Sequence, residues 1–209
     1  MLVGRRQDWI DGERHAWEML CGLSPDDVCR RAEATYDPVR GYSLDLFNTR
    51  VCISLTGRRI TGDSPGAEFL LDELKSYSHL AILWYLARAR AAPLAGRLIS
   101  PGSLGDIFTR GTHVLPLDRL AGQYGNDLSG FLARGRELGG APLDLADASV
   151  RLFPFPRVPV TLLLWRGDSE FPPRASLLFD GSCAVHLPLD IIWATAMLTI
   201  LAVDGWPST

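Results

Sequence analysis

The fold of this chain is decided by one stretch, Val160-Thr-Leu-Leu-Leu-Trp-Arg-Gly-Asp-Ser-Glu-Phe-Pro-Pro-Arg-Ala-Ser-Leu-Leu-Phe-Asp180. Two runs of apolar, strand-forming residues, 160–165 and 174–179, flank a short charged loop that contains a glycine and two prolines. Such runs joined by turn-forming residues are typical of a β-hairpin. Because a strand rises about 3.3 Å per residue, the loop end and the open end of this hairpin lie roughly 20 Å apart. A site in this region therefore belongs to one end or to the other.

Working outward from the hairpin, helical and strand patterns occur in separate blocks. The apolar spacing predicts helices over residues 8–20, 24–36, 67–92, 116–123, 126–138 and from 188 onward. It predicts further strands over residues 42–47, 50–56, 59–61 and 146–153, the last one bounded by the prolines that follow it. This segregation favours an α+β fold, with antiparallel sheets built from two β meanders and packed against helices. The two meanders could join in one sheet that is covered on one face.

Length and composition indicate a soluble globular chain with a core of its own. The 209 residues predict a single α+β domain, with an N-terminal helical segment at 1–40 and a main body at 41–209. A net charge of −3 argues against a general nucleic-acid binder. The longest apolar stretch, 191–203, is too short to span a bilayer, and the N-terminus has no signal-peptide pattern. We therefore expect a cytoplasmic protein with no nucleic-acid partner and no membrane span, and a homo-oligomer remains open.

The cysteines and the known motifs assign no cofactor and no metal site. Cys21, Cys29, Cys52 and Cys183 include no CxxC pair, so the chain has no local signature of a zinc ribbon or an iron–sulfur cluster. Scattered cysteines of this kind are expected to be free thiols in a reducing compartment. No phosphate-binding glycine loop, HExxH or GxSxG pattern occurs. The cofactor, if there is one, is not identified by the sequence.

At the loop end of the hairpin, Asp168 and Glu170 are candidate binding residues. Two carboxylates can chelate a hard cation or act as an acid and base, or they can simply be a turn acid and a solvated partner for nearby arginines. Trp165 flanks this loop as a stacking platform or a core anchor. Arg110 and His113, in a glycine-containing loop, either bind an anion or form an ordinary polar turn. Together these five residues are our predicted binding pocket, between the hairpin and the helical middle of the chain.

At the open end, Asp180, Ser182, Cys183 and His186 are candidate catalytic residues. An Asp–His contact would orient the imidazole and raise its basicity, with a hydroxyl or a thiol nearby as nucleophile. The alternative is a turn at Asp180-Gly181, with His186 placed only to cap the following helix.

Three stretches together resemble a family of uncharacterised proteins from bacteria and archaea, many of them anaerobes. These stretches are Leu83-Trp-Tyr-Leu86 through Gly96; Phe131 to Leu138 with Gly140-Ala-Pro-Leu143; and Pro156-Arg-Val-Pro159 through Leu164-Trp-Arg-Gly-Asp-Ser-Glu-Phe-Pro172 to Phe179-Asp180 and His186-Leu-Pro188. The last of these is the most specific. The resemblance transfers no reaction and no catalytic residue. Some relatives carry an added cysteine-rich segment of iron–sulfur type, which this chain lacks, so the resemblance leaves open a role near corrinoid or iron–sulfur metabolism.

Three functions fit the sequence. We expect a cytosolic, non-catalytic protein that binds a small molecule or assists another protein. The second is a hydrolase or metal-assisted enzyme that uses the cluster near residues 180–186. The third is a subunit of a larger complex, since six tryptophans and an apolar final helix could serve an interface. The sequence does not identify the ligand.

Overall fold

Helices surround two antiparallel sheets in this protein. The computed structural model describes residues 2–105, 108 and 114–207, with side chains from residue 11 onward. Within those ranges the α-helices are α1 Leu2–Cys21, α2 Pro25–Ala32, α3 Pro65–Glu68, α4 Lys75–Arg88, α5 Leu117–Tyr124, α6 Leu128–Glu137, α7 Cys183–His186 and α8 Leu189–Gly205. None of these described helices is long and apolar enough to cross a membrane.

The strands form a four-stranded and a five-stranded sheet, which confirms the predicted α+β class. The first sheet has the order β1-β2-β3-β4, with β1 Thr35–Asp37, β2 Gly41–Leu46, β3 Thr49–Ser54 and β4 Arg59–Thr61. The second has the order β5-β9-β8-β7-β6, with β5 Leu98–Ile99, β6 Ala141–Leu143, β7 Ala148–Phe155, β8 Val158–Trp165 and β9 Arg174–Asp180. All neighbours in both sheets are antiparallel.

The two meanders do not join in one sheet, contrary to one expectation from the sequence. A backbone hydrogen bond of 2.7 Å, from the Phe47 N–H to the Phe153 carbonyl, links them at their ends. Phe47 has a φ of 51°, which is outside the β region, so β2 ends before it and forms no ladder with β7.

The predicted hairpin is confirmed as β8 and β9, which pair from Val160 opposite Phe179 to Trp165 opposite Arg174. Since directly opposed residues share a face and successive residues of a strand point to opposite faces, this register assigns every paired side chain of the sheet to one of two faces. The inner face is apolar and buried, and it comprises Val150, Leu152, Val160, Leu162, Leu177 and Phe179.

Helices cover this inner face. The Tyr85 ring of α4 stacks on Phe155 at the end of β7, with 4.6 Å between ring centroids. Gly135 of α6 lies against Val150, so closely that a Cβ there would stand 2.5 Å from a Val150 methyl group. The same cluster of buried apolar side chains includes residues of both sheets and of α8.

Several predicted elements differ from those in the structure. Helix α2 ends at Ala32 rather than near Tyr36, because Glu33 adopts a left-handed conformation with a φ of 53°. The helix predicted over 67–92 is interrupted by a π-helical turn, Phe69–Glu73. Strand β7 continues through Pro154, because an irregular register between Leu152 and Phe155 leaves the proline outside the hydrogen-bonded ladder.

Candidate functional site

At the loop end of the hairpin, Asp168 shapes the loop. Its Oδ1 accepts hydrogen bonds from the backbone N–H groups of Glu170 and Phe171, both at 2.8 Å. These bonds, the one from Phe171 first, hold the pKa of Asp168 below its usual value. The carboxylate therefore closes an Asx-type turn, in which a side chain replaces a backbone acceptor.

The other predicted binding residues are only partly brought together. Glu170 is exposed, and Trp165 is half-buried beneath the Arg174 guanidinium, which lies 4.2 Å from the ring centroid. Arg110 and His113 lie outside the described residues, so the structure does not place them relative to this loop.

At the open end, the Asp180 carboxylate forms hydrogen bonds with two segments that are distant in sequence. Its Oδ1 accepts from Ala95 N at 2.8 Å, Ser182 N at 2.9 Å and Ser182 Oγ at 2.6 Å, and its Oδ2 accepts from Gly96 N at 2.9 Å. Burial opposes ionisation of Asp180, but these four hydrogen bonds outweigh it and keep the pKa below its usual value. The buried carboxylate is thus held ionised, and it fixes the 95–96 segment to the end of β9.

The Cys183 and His186 side chains are both buried. Burial raises the pKa of the Cys183 thiol to about 11, so the thiol stays protonated at neutral pH. The Nδ1 atom of His186 accepts a 3.3 Å hydrogen bond from the Arg90 N–H. Burial, assisted by the positive charge of Arg157 and opposed by Asp180, lowers the pKa of His186. Asp180 and His186 therefore each bind backbone N–H groups, and no hydrogen bond joins them.

A small cavity opens beside Asp180, on the outer face of the five-stranded sheet. Its volume is about 80 Å³, and its lining comprises Leu98, Arg151, Pro159, Thr161 and Asp180 from the sheet, with Leu94 and Gly96 from the segment after α4. The register explains this convergence. Arg151 opposes Thr161, which opposes Leu178, and Asp180 is two residues beyond Leu178 on the same face. Leu98 opposes Asp180, so it also lies on that face.

Arg151 distinguishes this cavity chemically. Among the described residues its guanidinium has no ion pair and no hydrogen bond, although the side chain is half-buried. Thr161, which is 1% exposed, lies beside it, while Leu94 and Leu98 at the rim are 43% and 37% exposed. The cavity therefore combines the Arg151 guanidinium, the hydrogen-bonded Asp180 carboxylate, the Thr161 hydroxyl and an apolar rim.

Sequence reasoning did not select Arg151 or Thr161 as site residues. The available signal was the alternation of apolar and polar residues along the strand. In Val150-Arg151-Leu152, the two apolar side chains lie on one face and the charged side chain lies on the other. Gly96 carried no such signal, since only the fold brings it to Asp180.

A larger cleft of about 210 Å³ lies between the β2–β3 turn, the start of α3 and Trp206. Its polar groups are already engaged with one another. Thr49 Oγ1 and Ser64 Oγ are 2.5 Å apart, the Asn48 amide donates to the Glu137 carbonyl, and Arg134 pairs with the Glu137 carboxylate at 2.8 Å. We therefore regard the smaller cavity beside Asp180, hereafter the Arg151 cavity, as the better candidate.

Within the described ranges, no group of three or more His, Cys, Asp or Glu side chains is placed to hold a metal ion.

Comparison with known proteins gives one match. A family profile described as a domain of unknown function, DUF3786, matches residues 24–202. That range includes both sheets and every residue that lines the Arg151 cavity. No curated protein and no solved structure matches the chain.

Proposed function

This chain belongs to the family described as domain of unknown function DUF3786, and from its geometry we propose that it is a non-catalytic ligand-binding or accessory protein. The observation that carries the proposal is a half-buried Arg151 guanidinium, unpaired within the described ranges, in a cavity beside the Asp180 carboxylate. A guanidinium without a partner is a ready donor for a planar anionic group. Concave sites with an apolar lining and a few convergent polar groups are the usual form of small-molecule sites.

The chemistry at residues 180–186 supports binding over catalysis. A nucleophilic thiol must be available as the thiolate, and a general base must have a free lone pair. Cys183 is protonated and buried, and the Nδ1 lone pair of His186 is occupied by Arg90. Free thiols at all four cysteines also fit a cytoplasmic location, which we include in the proposal.

Nuclear magnetic resonance with a library of small polar fragments tests the proposed site. Binding there should shift the amide signals of Gly96 and Thr161 in the wild-type protein and leave them unshifted in Arg151→Gln. Because the Arg151 guanidinium has no partner in the part of the chain that the structure describes, this substitution should change stability by less than about 0.5 kcal/mol. Arg174→Gln is the matched control, since Arg174 lies on the same sheet but at the loop end. Fragments that bind equally well to wild type and Arg151→Gln would contradict the proposal.

The hydrolase remains a second candidate because Ser182 Oγ donates to the Asp180 carboxylate at 2.6 Å. Labelling of the folded protein with a fluorophosphonate and with iodoacetamide separates the two functions. We expect modification of the exposed Cys21 and none of Ser182 or Cys183. Rapid labelling of Ser182 or Cys183 would favour the enzyme.

A further inference from the structure

We infer that the ligand of the Arg151 cavity is a free aliphatic α-amino acid. This inference rests on the proposed binding function and adds the chemical class of the ligand. Three features of the cavity support it: the pair of opposite charges, the position of the hydroxyl between them, and the apolar rim.

The two charged groups call for a zwitterion. The Arg151 guanidinium needs an anionic partner. Among the residues that the structure describes, Asp180 Oδ2 accepts one hydrogen bond, from Gly96, which leaves it a lone pair for a further donor. A simple anion would meet the Asp180 carboxylate, and a simple cation would meet Arg151. A molecule with a carboxylate and an ammonium group satisfies both residues at once.

The register sets the spacing between the backbone positions of Arg151 and Asp180. Arg151 lies opposite Thr161, which lies opposite Leu178, and Asp180 is two residues further along β9. From the strand spacing and rise, the Cα atoms of Arg151 and Asp180 are about 12 Å apart. No hydrogen bond joins the two side chains, and the strand that carries Thr161 runs between them. The site therefore offers a cation, a hydroxyl and an anion in a row.

The size and rim of the cavity define the rest of the ligand. A cavity of about 150 Å³ accommodates benzene, so the 80 Å³ found here accommodates a head group of a few non-hydrogen atoms. Beyond it, the exposed parts of Leu94 and Leu98 form an apolar rim. An aliphatic side chain attached to the head group would cover these leucines and remove their surface from water.

Titration calorimetry with L-leucine and its two half-molecules tests the inference. Isocaproate has the leucine skeleton without the ammonium group, and isoamylamine has it without the carboxylate. We expect leucine to bind with a Kd of about 1 mM or lower, and each half-molecule to bind at least about tenfold more weakly, because each loses one charge-assisted hydrogen bond. This comparison tests the role of Asp180 without replacing a residue on which the fold depends.

The variants assign the binding to this cavity. Arg151→Gln should weaken leucine binding about tenfold or more without weakening isoamylamine binding, since it removes a like charge that opposes the amine, while Arg174→Gln should leave both unchanged. If isocaproate binds as tightly as leucine, the zwitterion is wrong and the binding function stands. If neither leucine nor any fragment shifts the signals of Gly96 and Thr161, both the inference and the proposed function are wrong.

Discussion

Arg157 shows how a single side chain can hold several elements together. It lies in the turn between β7 and β8, where Nε donates to the Arg31 carbonyl at 2.7 Å and Nη1 donates to the Ala92 carbonyl at 3.2 Å. Nη2 forms an ion pair of 3.0 Å with Glu33. A cation at carbonyls near the end of α2 also interacts favourably with the helix dipole.

We expect Arg157→Lys to destabilise the protein by about 1–3 kcal/mol. Lysine keeps the charge but lacks the planar, multiply donating guanidinium, so the carbonyls of Arg31 and Ala92 lose hydrogen bonds. Urea denaturation measures the change. Glu33→Gln is the control, because Glu33 is 53% exposed and a surface ion pair contributes only about 0–1 kcal/mol. Equal losses of unfolding free energy in the two variants would contradict this role of the Arg157 guanidinium.

His186 makes stability depend on pH. Its Nδ1 accepts from Arg90, so the proton of the neutral ring is on Nε2, which is buried without a partner among the described residues. Its pKa in the folded protein is below the ordinary 6.5. Between these two values the unfolded chain binds more protons than the folded one, so stability rises with pH. This contribution is complete above pH 6.5 and is lost as the pH falls toward the folded-state pKa.

Comparison of wild type with His186→Asn isolates this effect. An asparagine oxygen can accept the Arg90 hydrogen bond but does not titrate. Within the window, stability of the wild type should fall by up to about 1.4 kcal/mol per pH unit relative to the variant. The buried histidine is the cause only if the two denaturation series diverge below pH 6.5; parallel series would exclude it.

At the scale of elements, α6 packs on β7 through a glycine. A Cβ at position 135 would stand 2.5 Å from Val150 Cγ2. Gly135→Ala should therefore destabilise the protein by about 1–3 kcal/mol through overpacking, although alanine favours a helix by about 1 kcal/mol.

Gly122 on the exposed side of α5 is the matched control. No atom of the described residues lies within 4 Å of a Cβ built there, so Gly122→Ala should stabilise the protein by about 0.5–1 kcal/mol. Thermal unfolding of the two variants should thus shift in opposite directions. A loss of stability in both would show that helix packing is not what separates them.

Element boundaries were predictable only where local chemistry decides them. Ser24-Pro25 with two acids in the first turn gave the start of α2. Its end depends on Glu33, whose left-handed conformation no local pattern indicates. Likewise, Pro154 predicts a strand end, and only the irregular pairing with β8 lets β7 continue to Phe155.

At the scale of the whole molecule, both sheets contribute to one cluster of buried side chains. Leu44 of the first sheet and Val160 of the second belong to it, and α8 supplies Ile192 and Ile200. A single domain therefore stays our prediction. Urea unfolding followed by far-ultraviolet circular dichroism and by tryptophan fluorescence should give one coincident transition. Two separated transitions would mean that the sheets unfold independently.

The sequence by itself determined the α+β class, the β8–β9 hairpin and its apolar inner face, because these depend on residues a few positions apart. The cavity beside Arg151 was decided by tertiary structure alone. Strand register brings Arg151 to Thr161, and Asp180 meets the N–H groups of Ala95 and Gly96 from 85 and 84 residues away. The physical reason is that a charged side chain carries no local signal of its distant partner; only the folded backbone fixes which donors reach it.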